Sequence, residues 1–372
     1  MNNLFHKGLR TWIQINTDAA RHNIAAVRSL LAPNCKLMAV VKSNAYGHDL
    51  IEFSKLAVHE GVDEIAVDSI TEAVALREAG IQIPILVLGY TLPDNFAIAS
   101  EKYISITISS FENLRELVMQ DIAVKIHLKF DTGMHRQGFF ENDVDVIVEI
   151  LGESPRIQLE GLYTHFAAAK NPGFPTDTIA QADVFNKICD KFYERGFKFI
   201  KHACASGGTF LFSQYHFDMV RVGAAMYGIW PSKETRRACE GRFQLQPVLS
   251  WHSIISEIKN ISKGERAGYD FTETFYRDSK IAIVPIGYWH GFPRALSSAG
   301  HVEIAGQRAR VLGRVSMDMI VVDITDILDA KVGDAATIIG DLITADEFAA
   351  MSDTTAYEIL TRLNPLMRRI FT

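Results

Sequence analysis

The sequence predicts an α/β barrel followed by a second, mainly β-stranded domain. Three observations carry this. Between residues 36 and 228, eight short apolar runs alternate with segments of helix-like spacing. After residue 242 that spacing gives way to short strand-like runs joined by tight loops, and no low-complexity linker separates the halves. The repeated strand-helix rhythm fits a (β/α)8 barrel. A doubly wound open sheet would alternate too, but a G-x-G-x-x-G turn after the first strand is missing.

The eight runs cover residues 37–42, 64–69, 84–89, 104–109, 123–131, 157–165, 199–206 and 219–228. Several are apolar at nearly every position, as parallel strands covered on both faces require. Residues 67–80 read as a strand end, a capped helix and a glycine stop. In the second half, strands are expected at 249–261, 280–288, 301–304, 307–312, 319–324 and 335–339. Residues 353–363 carry a helical pattern, with Tyr357, Leu360 and Leu363 at three-residue spacing. Residues 10–15 alternate like a strand but precede the first barrel helix, with Thr17 as its expected N-cap, so they are free to pair with the second domain. The expected division is 10–242 for the barrel and 243–372 for the β domain.

A chain of 372 residues has room for two or three domains with sizeable cores. With 38 basic and 44 acidic side chains the formal charge is −6, which offers no overall attraction to nucleic acid or anionic lipid. Apolar stretches fall far short of the roughly 20 residues that span a bilayer. The first fifteen residues carry no apolar block followed by a small-residue cleavage site, and Cys35, Cys189, Cys204 and Cys239 are scattered without a C-x-x-C pair. The cytoplasm is the expected compartment, without a disulfide framework or metal.

Function in such a barrel gathers where the strands end at their C-terminal side. The first run closes on Met38-Ala39-Val40-Val41-Lys42, an amine at the rim of an apolar interior, where partial desolvation favours the uncharged nucleophile. A solvated strand-end lysine is the plainer alternative. The last two runs end in Ala205-Ser206-Gly207-Gly208 and Val220-Arg221-Val222-Gly223, where barrels often cup phosphate with small residues and a hydroxyl. An amine and a phosphate cup together suggest pyridoxal 5′-phosphate. Arg221 lies between apolar neighbours, so its charge needs an ion-pair partner or another acceptor. Further rim residues are Lys129, Asp131, Arg136 and His165, an arginine being suited to a bidentate grip on a carboxylate. In the second domain, Tyr269 stands in a polar turn and Met317 in a loop. The H-E-x-x-H, G-x-S-x-G and P-loop motifs are absent.

Over nearly its whole length the chain resembles the alanine racemases, pyridoxal-phosphate enzymes with a barrel followed by a β domain. The most specific piece is Ala39-Val40-Val41-Lys42-Ser43-Asn44-Ala45-Tyr46-Gly47-His48, supported by Arg21-His22-Asn23, residues 129–136, Thr164-His165-Phe166, Arg221-Val222-Gly223, Gly268-Tyr269 and residues 313–318. The resemblance implies that Lys42 carries the cofactor and is the base on one face of the substrate. Tyr269, from the other subunit of a homodimer, would be the base on the opposite face, since racemisation removes a proton on one side and returns it on the other. Arg221 would face the pyridine nitrogen. Tyr46, Ser206, Gly223 and Tyr357 would hold the phosphate, His165 would orient Tyr269 and Arg221, and Arg136 with the Met317 backbone would bind the substrate carboxylate. The family residue matching Lys129 is often carbamylated. An L-alanine to D-alanine interconversion supplying peptidoglycan is the implied activity.

The chain departs from the family where Gly is common at His135, Asn at Ala205 and Asp at His290. None of these removes a catalytic group, but His135 and His290 bear on substrate choice. A racemase accepting serine, lysine or other amino acids is therefore an alternative. A decarboxylase of the same barrel family is disfavoured by Arg221, where a Glu is typical. A non-catalytic pyridoxal-phosphate carrier is disfavoured by the β domain.

Overall fold

The computed structural model describes residues 8–372; the first seven, part of the segment read for a secretion signal, lie outside the described residues. A first strand, β1 (Thr11–Ile15), precedes eight strands that close into a parallel barrel: β2 (Lys36–Val40), β3 (Glu64–Val67), β4 (Ile85–Tyr90), β5 (Ile104–Ile108), β6 (Val124–Lys129), β7 (Ile157–Tyr163), β8 (Ile200–His202) and β9 (Met219–Val222). Closure comes from β2 lying parallel to β9, with Lys36 opposite Met219 and Ala39 opposite Val222. The expected barrel is what the chain forms.

The barrel strands stop short of the apolar runs. Lys42, Asp131 and His165 lie beyond the last residues of β2, β6 and β7, and Ser206 opens a short helix, Ser206–Leu211. Apolar spacing continues past the point where the hydrogen-bond ladder ends, because residues just beyond it, such as Val41, Phe130 and Cys204, are still fully buried. Between β3 and β4 the helix Ile70–Glu78 has a full capping box: the Ser69 hydroxyl accepts from the Glu72 amide, and the Glu72 carboxylate accepts from the Ser69 amide.

The remaining strands are β10 (Leu249–Ile254), β11 (Glu257–Ile261), β12 (Arg266–Ala267), β13 (Glu273–Thr274), β14 (Ser279–Val284), β15 (His301–Ile304), β16 (Gln307–Leu312), β17 (Ile320–Asp323), β18 (Ala335–Ile339) and β19 (Arg369–Phe371). Nine strands form one sheet in the order β11-β14-β17-β16-β15-β18-β10-β1-β19. The single run expected at 249–261 is two strands, because the chain changes partner: β10 pairs with β18, and β11 pairs with β14. β1 lies between β10 and β19. Thr17 is not an N-cap; it is the first residue of the helix Thr17–Arg28, and its hydroxyl donates to the Thr372 carbonyl at 2.7 Å. The Trp251 ring, fully buried, packs against Phe292 and Phe348 at the centre of this unit.

By contacts the chain falls into two compact units: residues before Ala19 with Tyr46–Asp49 and Pro247–Thr372, and Ala19–Ala45 with Leu50–Gln246. The division follows Gln246 rather than Arg242, because buried Asn23 holds residues 244–246 to the barrel. Its amide donates to the Gln246 carbonyl at 2.7 Å and its carbonyl accepts from the Gln246 amide at 2.8 Å.

Candidate active site

Past β2 the backbone enters a left-handed turn. Ser43, Asn44, Ala45 and Tyr46 have φ of 56°, 56°, 51° and 53°, and none is glycine. Such a conformation costs about 1–2 kcal/mol per residue, so it persists only where the surroundings enforce it. Here the Ser43 amide donates to Glu72 Oε1 at 2.7 Å, the Leu50 amide donates to Asn44 Oδ1 at 2.8 Å, and Ala45 is fully buried. Glu72 thus serves two ends at once, its other oxygen completing the cap at Ser69. The turn begins at Lys42, whose Nζ meets Asp68 Oδ1 at 3.0 Å.

Around the rim of the same unit lies a cluster of cations. Arg221, on β9, is 4% exposed. No carboxylate among the described residues touches it. Its Nη2 donates to the carbonyls of Thr164 (2.7 Å) and Ala203 (2.9 Å) and lies 3.4 Å from His165 Nδ1, while Nη1 lies 3.0 Å from His202 Nδ1. The guanidinium also sits over the Tyr163 ring at 5.0 Å. Burial lowers its pKa to about 10, so it stays charged at neutral pH. Nε has no hydrogen-bond partner among the described residues, which leaves its N–H open on a side chain held through both Nη atoms. Burial, then Arg221 and its neighbouring cations, pushes His165 down to about 3, leaving a neutral imidazole that can accept from Arg221.

Lys129, 5% exposed, donates to Gln137 Oε1 at 3.1 Å. Burial first, then Arg136 and Arg221, lower its pKa to about 8. Asp131 does not pair with it. Despite the opposing effect of burial, the Asp131 carboxyl is held below its usual range by the amides of His135, Gly133 and Arg136. These bonds fold the loop so that Arg136, itself exposed, lines a cleft with Lys129, Gln137, Thr164 and His165. His135 is solvent-facing, with 76% of its side chain exposed.

The loops after β8 and β9 meet at Ser206, whose hydroxyl accepts from the Ala225 amide at 3.4 Å. A Cβ on Gly207 would lie 2.8 Å from the Ala169 carbonyl oxygen, and one on Gly208 would lie 2.9 Å from Cys204 Sγ. Ala205 supplies no side-chain cap to the helix it precedes, so the backbone there is both close-packed and open. A buried hydroxyl, tight glycines, an arginine with an open Nε–H and a rim lysine together fit a phosphorylated pyridine aldehyde.

The other predicted residues lie in the strand-rich unit. Tyr46 and Tyr357 rings are 6.1 Å apart and tilted by 57°. Burial raises both phenols, Tyr46 to about 12, so both remain hydrogen-bond donors. Tyr269 is 68% exposed on a turn whose neighbours Asp270 and Phe271 have φ of 58° and 50°. The turn is pinned by Arg314, 3.0 Å from Asp270, and by Arg266, which donates to the Phe271 carbonyl. The Met317 amide has no acceptor among the described residues, and its carbonyl accepts from Trp289. His290 is buried and accepts from the Gly287 amide through Nδ1, a role internal to its loop.

Sequence reasoning missed Asp68, Glu72, Gln137 and His202. Glu72 alone left a signal, the Ser-x-x-Glu spacing from Ser69. Asp68 and Gln137 lie in the loops after β3 and β6, and His202 is placed by barrel closure; apolar spacing reports none of these.

A closed parallel barrel with a rim amine, a buried arginine and a glycine-lined cup, joined in one chain to a strand-rich unit, defines a two-domain class of cofactor-dependent barrel enzymes. Family models for the alanine racemase N-terminal domain and C-terminal domain match residues 15–231 and 248–371. The chain belongs to the alanine racemase family. An alanine racemase of Leptospira interrogans is 38% identical, covering 97% of this chain and 95% of its own. The solved alanine racemase of Clostridium difficile 630 superposes with a TM-score of 0.93 at 34% identity, covering 98% of this chain and 96% of that one. That of Bacillus anthracis, with bound L-Ala-P, gives 0.92 at 33% identity, covering 98% and 95%.

Proposed function

We infer that this chain interconverts L- and D-alanine with pyridoxal phosphate by a two-base mechanism, within a homodimer. The observation that carries it is Arg221: a buried cation with an open Nε–H, where a decarboxylase of this class would place a carboxylate. When bound, the cofactor supplies the imine-forming carbonyl and the sink for the electrons of the Cα–H bond. The residues of this chain do the rest. Lys42 would carry the cofactor and move a proton at one face of Cα; Tyr269 of the partner subunit would do so at the other. Arg221 would donate from Nε to the ring nitrogen, and because an arginine keeps its proton, that nitrogen would remain unprotonated and a restrained electron sink, which disfavours transamination. His165 would hold Arg221 and orient Tyr269.

Ser206 and Gly223, with Tyr46 and Tyr357 as permanent donors, would bind the phosphate. Arg136 and the Met317 amide would bind the substrate carboxylate. Lys129 has the chemistry for carbamylation: near its pKa of about 8 it offers a neutral amine, and a carbamate would place negative charge beside Arg136 and Arg221. We assign cofactor binding mainly to the barrel and the second base to the β domain that follows Gln246, with action in the cytoplasm supplying D-alanine for peptidoglycan. No helix among the described residues is long and apolar enough to cross a membrane.

The test is proton NMR of the loaded protein with L-alanine in D2O, alongside chiral analysis, with serine and lysine in parallel. Exchange with inversion, fastest for alanine, is expected. Faster serine or lysine exchange would move the substrate assignment to a broad-specificity racemase. No exchange despite bound cofactor would overturn the reading in favour of a carrier.

A further inference from the structure

Beneath Arg221 the barrel interior holds a line of polar groups that the mechanism above does not use. His202, on β8, is fully buried, and its Nδ1 lies 3.0 Å from Arg221 Nη1. Its Nε2 lies 2.9 Å from Nδ1 of His127 on β6, also fully buried. His127 Nε2 faces Glu160 Oε2 on β7 at 3.5 Å, an electrostatic approach rather than a hydrogen bond. Glu160 further accepts from the Ser105 hydroxyl and from Lys125, each at 2.6 Å.

The two ends fix the direction of this line. An arginine can only donate and an ionised carboxylate can only accept. His202 Nδ1 must therefore accept, its proton stands on Nε2, and that N–H donates to His127 Nδ1, leaving the His127 proton on Nε2 toward Glu160. Burial opposes ionisation of Glu160, but the neighbouring His127 and hydrogen bonds from Lys125 and Ser105 hold its carboxyl well below the usual range, so the end of the line is a charge.

The fold also makes room for it. A Cβ on Gly161 would fall 2.3 Å from His127 Nδ1 and 2.5 Å from its Cε1. The β6–β7 pairing shifts register at Ile126/His127, opposite this glycine. Gly161 is needed for space: any side chain would evict the imidazole.

We propose that the one-directional hydrogen-bond chain from Arg221 through His202 to His127, with the Glu160 carboxylate facing its far end, sets the charge and orientation with which Arg221 presents its open Nε–H to the cofactor ring. Glu160 and His127 are positioning residues, and Glu160 is the counter-charge that Arg221 lacks in direct contact. Polarisation along a buried chain strengthens each bond in it. This rests on the reading that Arg221 faces the cofactor.

The test uses 15N-histidine-labelled full-length protein before and after loading with pyridoxal phosphate, with the variants Glu160→Gln and Gly161→Ala. In the wild type both His127 and His202 are expected as Nε2–H tautomers in both states. Each variant is expected to shift the absorbance band of the bound cofactor and to lower kcat by roughly three- to thirtyfold, the range for substitutions along a coupled network, with little change in KM for alanine. An Nδ1–H tautomer at either histidine would reverse the chain and overturn the proposal. So would variants that only melt earlier, with wild-type band and kcat. Wild-type protein with the expected tautomers that takes up no cofactor would instead overturn the cofactor reading, and the proposed role with it.

Discussion

Arg221 and Tyr269 are both assigned to one reaction, yet their surroundings could hardly differ more. Arg221 is 4% exposed and held by two carbonyls and two imidazoles. Tyr269 is 68% exposed, and among the described residues its hydroxyl makes no hydrogen bond. Its backbone is nevertheless fixed, by the Asp270–Arg314 ion pair and the Arg266 bonds to Phe271. A strained backbone that presents a free side chain is the arrangement of a group donated to another surface. The barrel residues, by contrast, are oriented by their own unit. On the proposed reading, the cations that would tune a bound group are preorganised internally, whereas the second base would serve a site elsewhere.

The largest expected effect breaks this contrast most directly. Tyr269→Phe should slow α-proton exchange by about 10²- to 10⁴-fold, more for L-alanine than for D-alanine, with cofactor uptake unchanged and wild-type protein sedimenting as a dimer. Wild-type exchange from both enantiomers, or an active monomer, would reduce Tyr269 to an ordinary surface residue. Next, Arg136→Ala should raise KM for alanine about 10- to 100-fold, since a charge-assisted hydrogen bond is worth about 1.5–3 kcal/mol; steady-state kinetics would read it. Unlike Arg221, Arg136 is exposed and awaits its ligand, so the same change should barely move the melting temperature.

On the enclosed side, Gly207→Ala should destabilise by about 1–3 kcal/mol and weaken cofactor binding, because its Cβ would strike the Ala169 carbonyl. Calorimetry and cofactor titration would separate the two losses. The smallest effect is a pH slope. Burial and nearby cations lower folded His165 to about 3 from an ordinary 6.5, so between these values the unfolded chain binds the extra proton. Stability attributable to neutral His165 is present above pH 6.5 and is lost as pH falls toward 3, at up to about 1.4 kcal/mol per pH unit. His165→Asn should flatten that acid limb in denaturant titrations, whereas an unchanged limb would mean that this imidazole is not enclosed.

Much of the fold was legible because a parallel barrel writes each strand as an apolar run. Strand ends were less so: the run through Lys42 continues beyond the ladder, and the one at 249–261 hides a change of partner at Ile255 and Ser256. β19 was unreadable, three residues defined by their neighbour β1 rather than by alternation. The rim lysine, the glycine cup and the buried arginine could be found from residue type and position. What surrounds Arg221 could not, since nothing local to His202 or Thr164 says that barrel closure will bring them to one guanidinium.

The left-handed turn after Lys42 bears on how the protein acquires its cofactor. Because the bonds that hold the backbone in its unfavourable shape come from Glu72 and Asn44 of the chain itself, the turn should need no bound group to order it, and little ordering entropy should be lost there when the cofactor arrives. Loading should therefore be governed by diffusion and chemistry at the amine, with no slow folding step of the loop, and a freshly synthesised chain can wait for its cofactor without losing the shape that receives it.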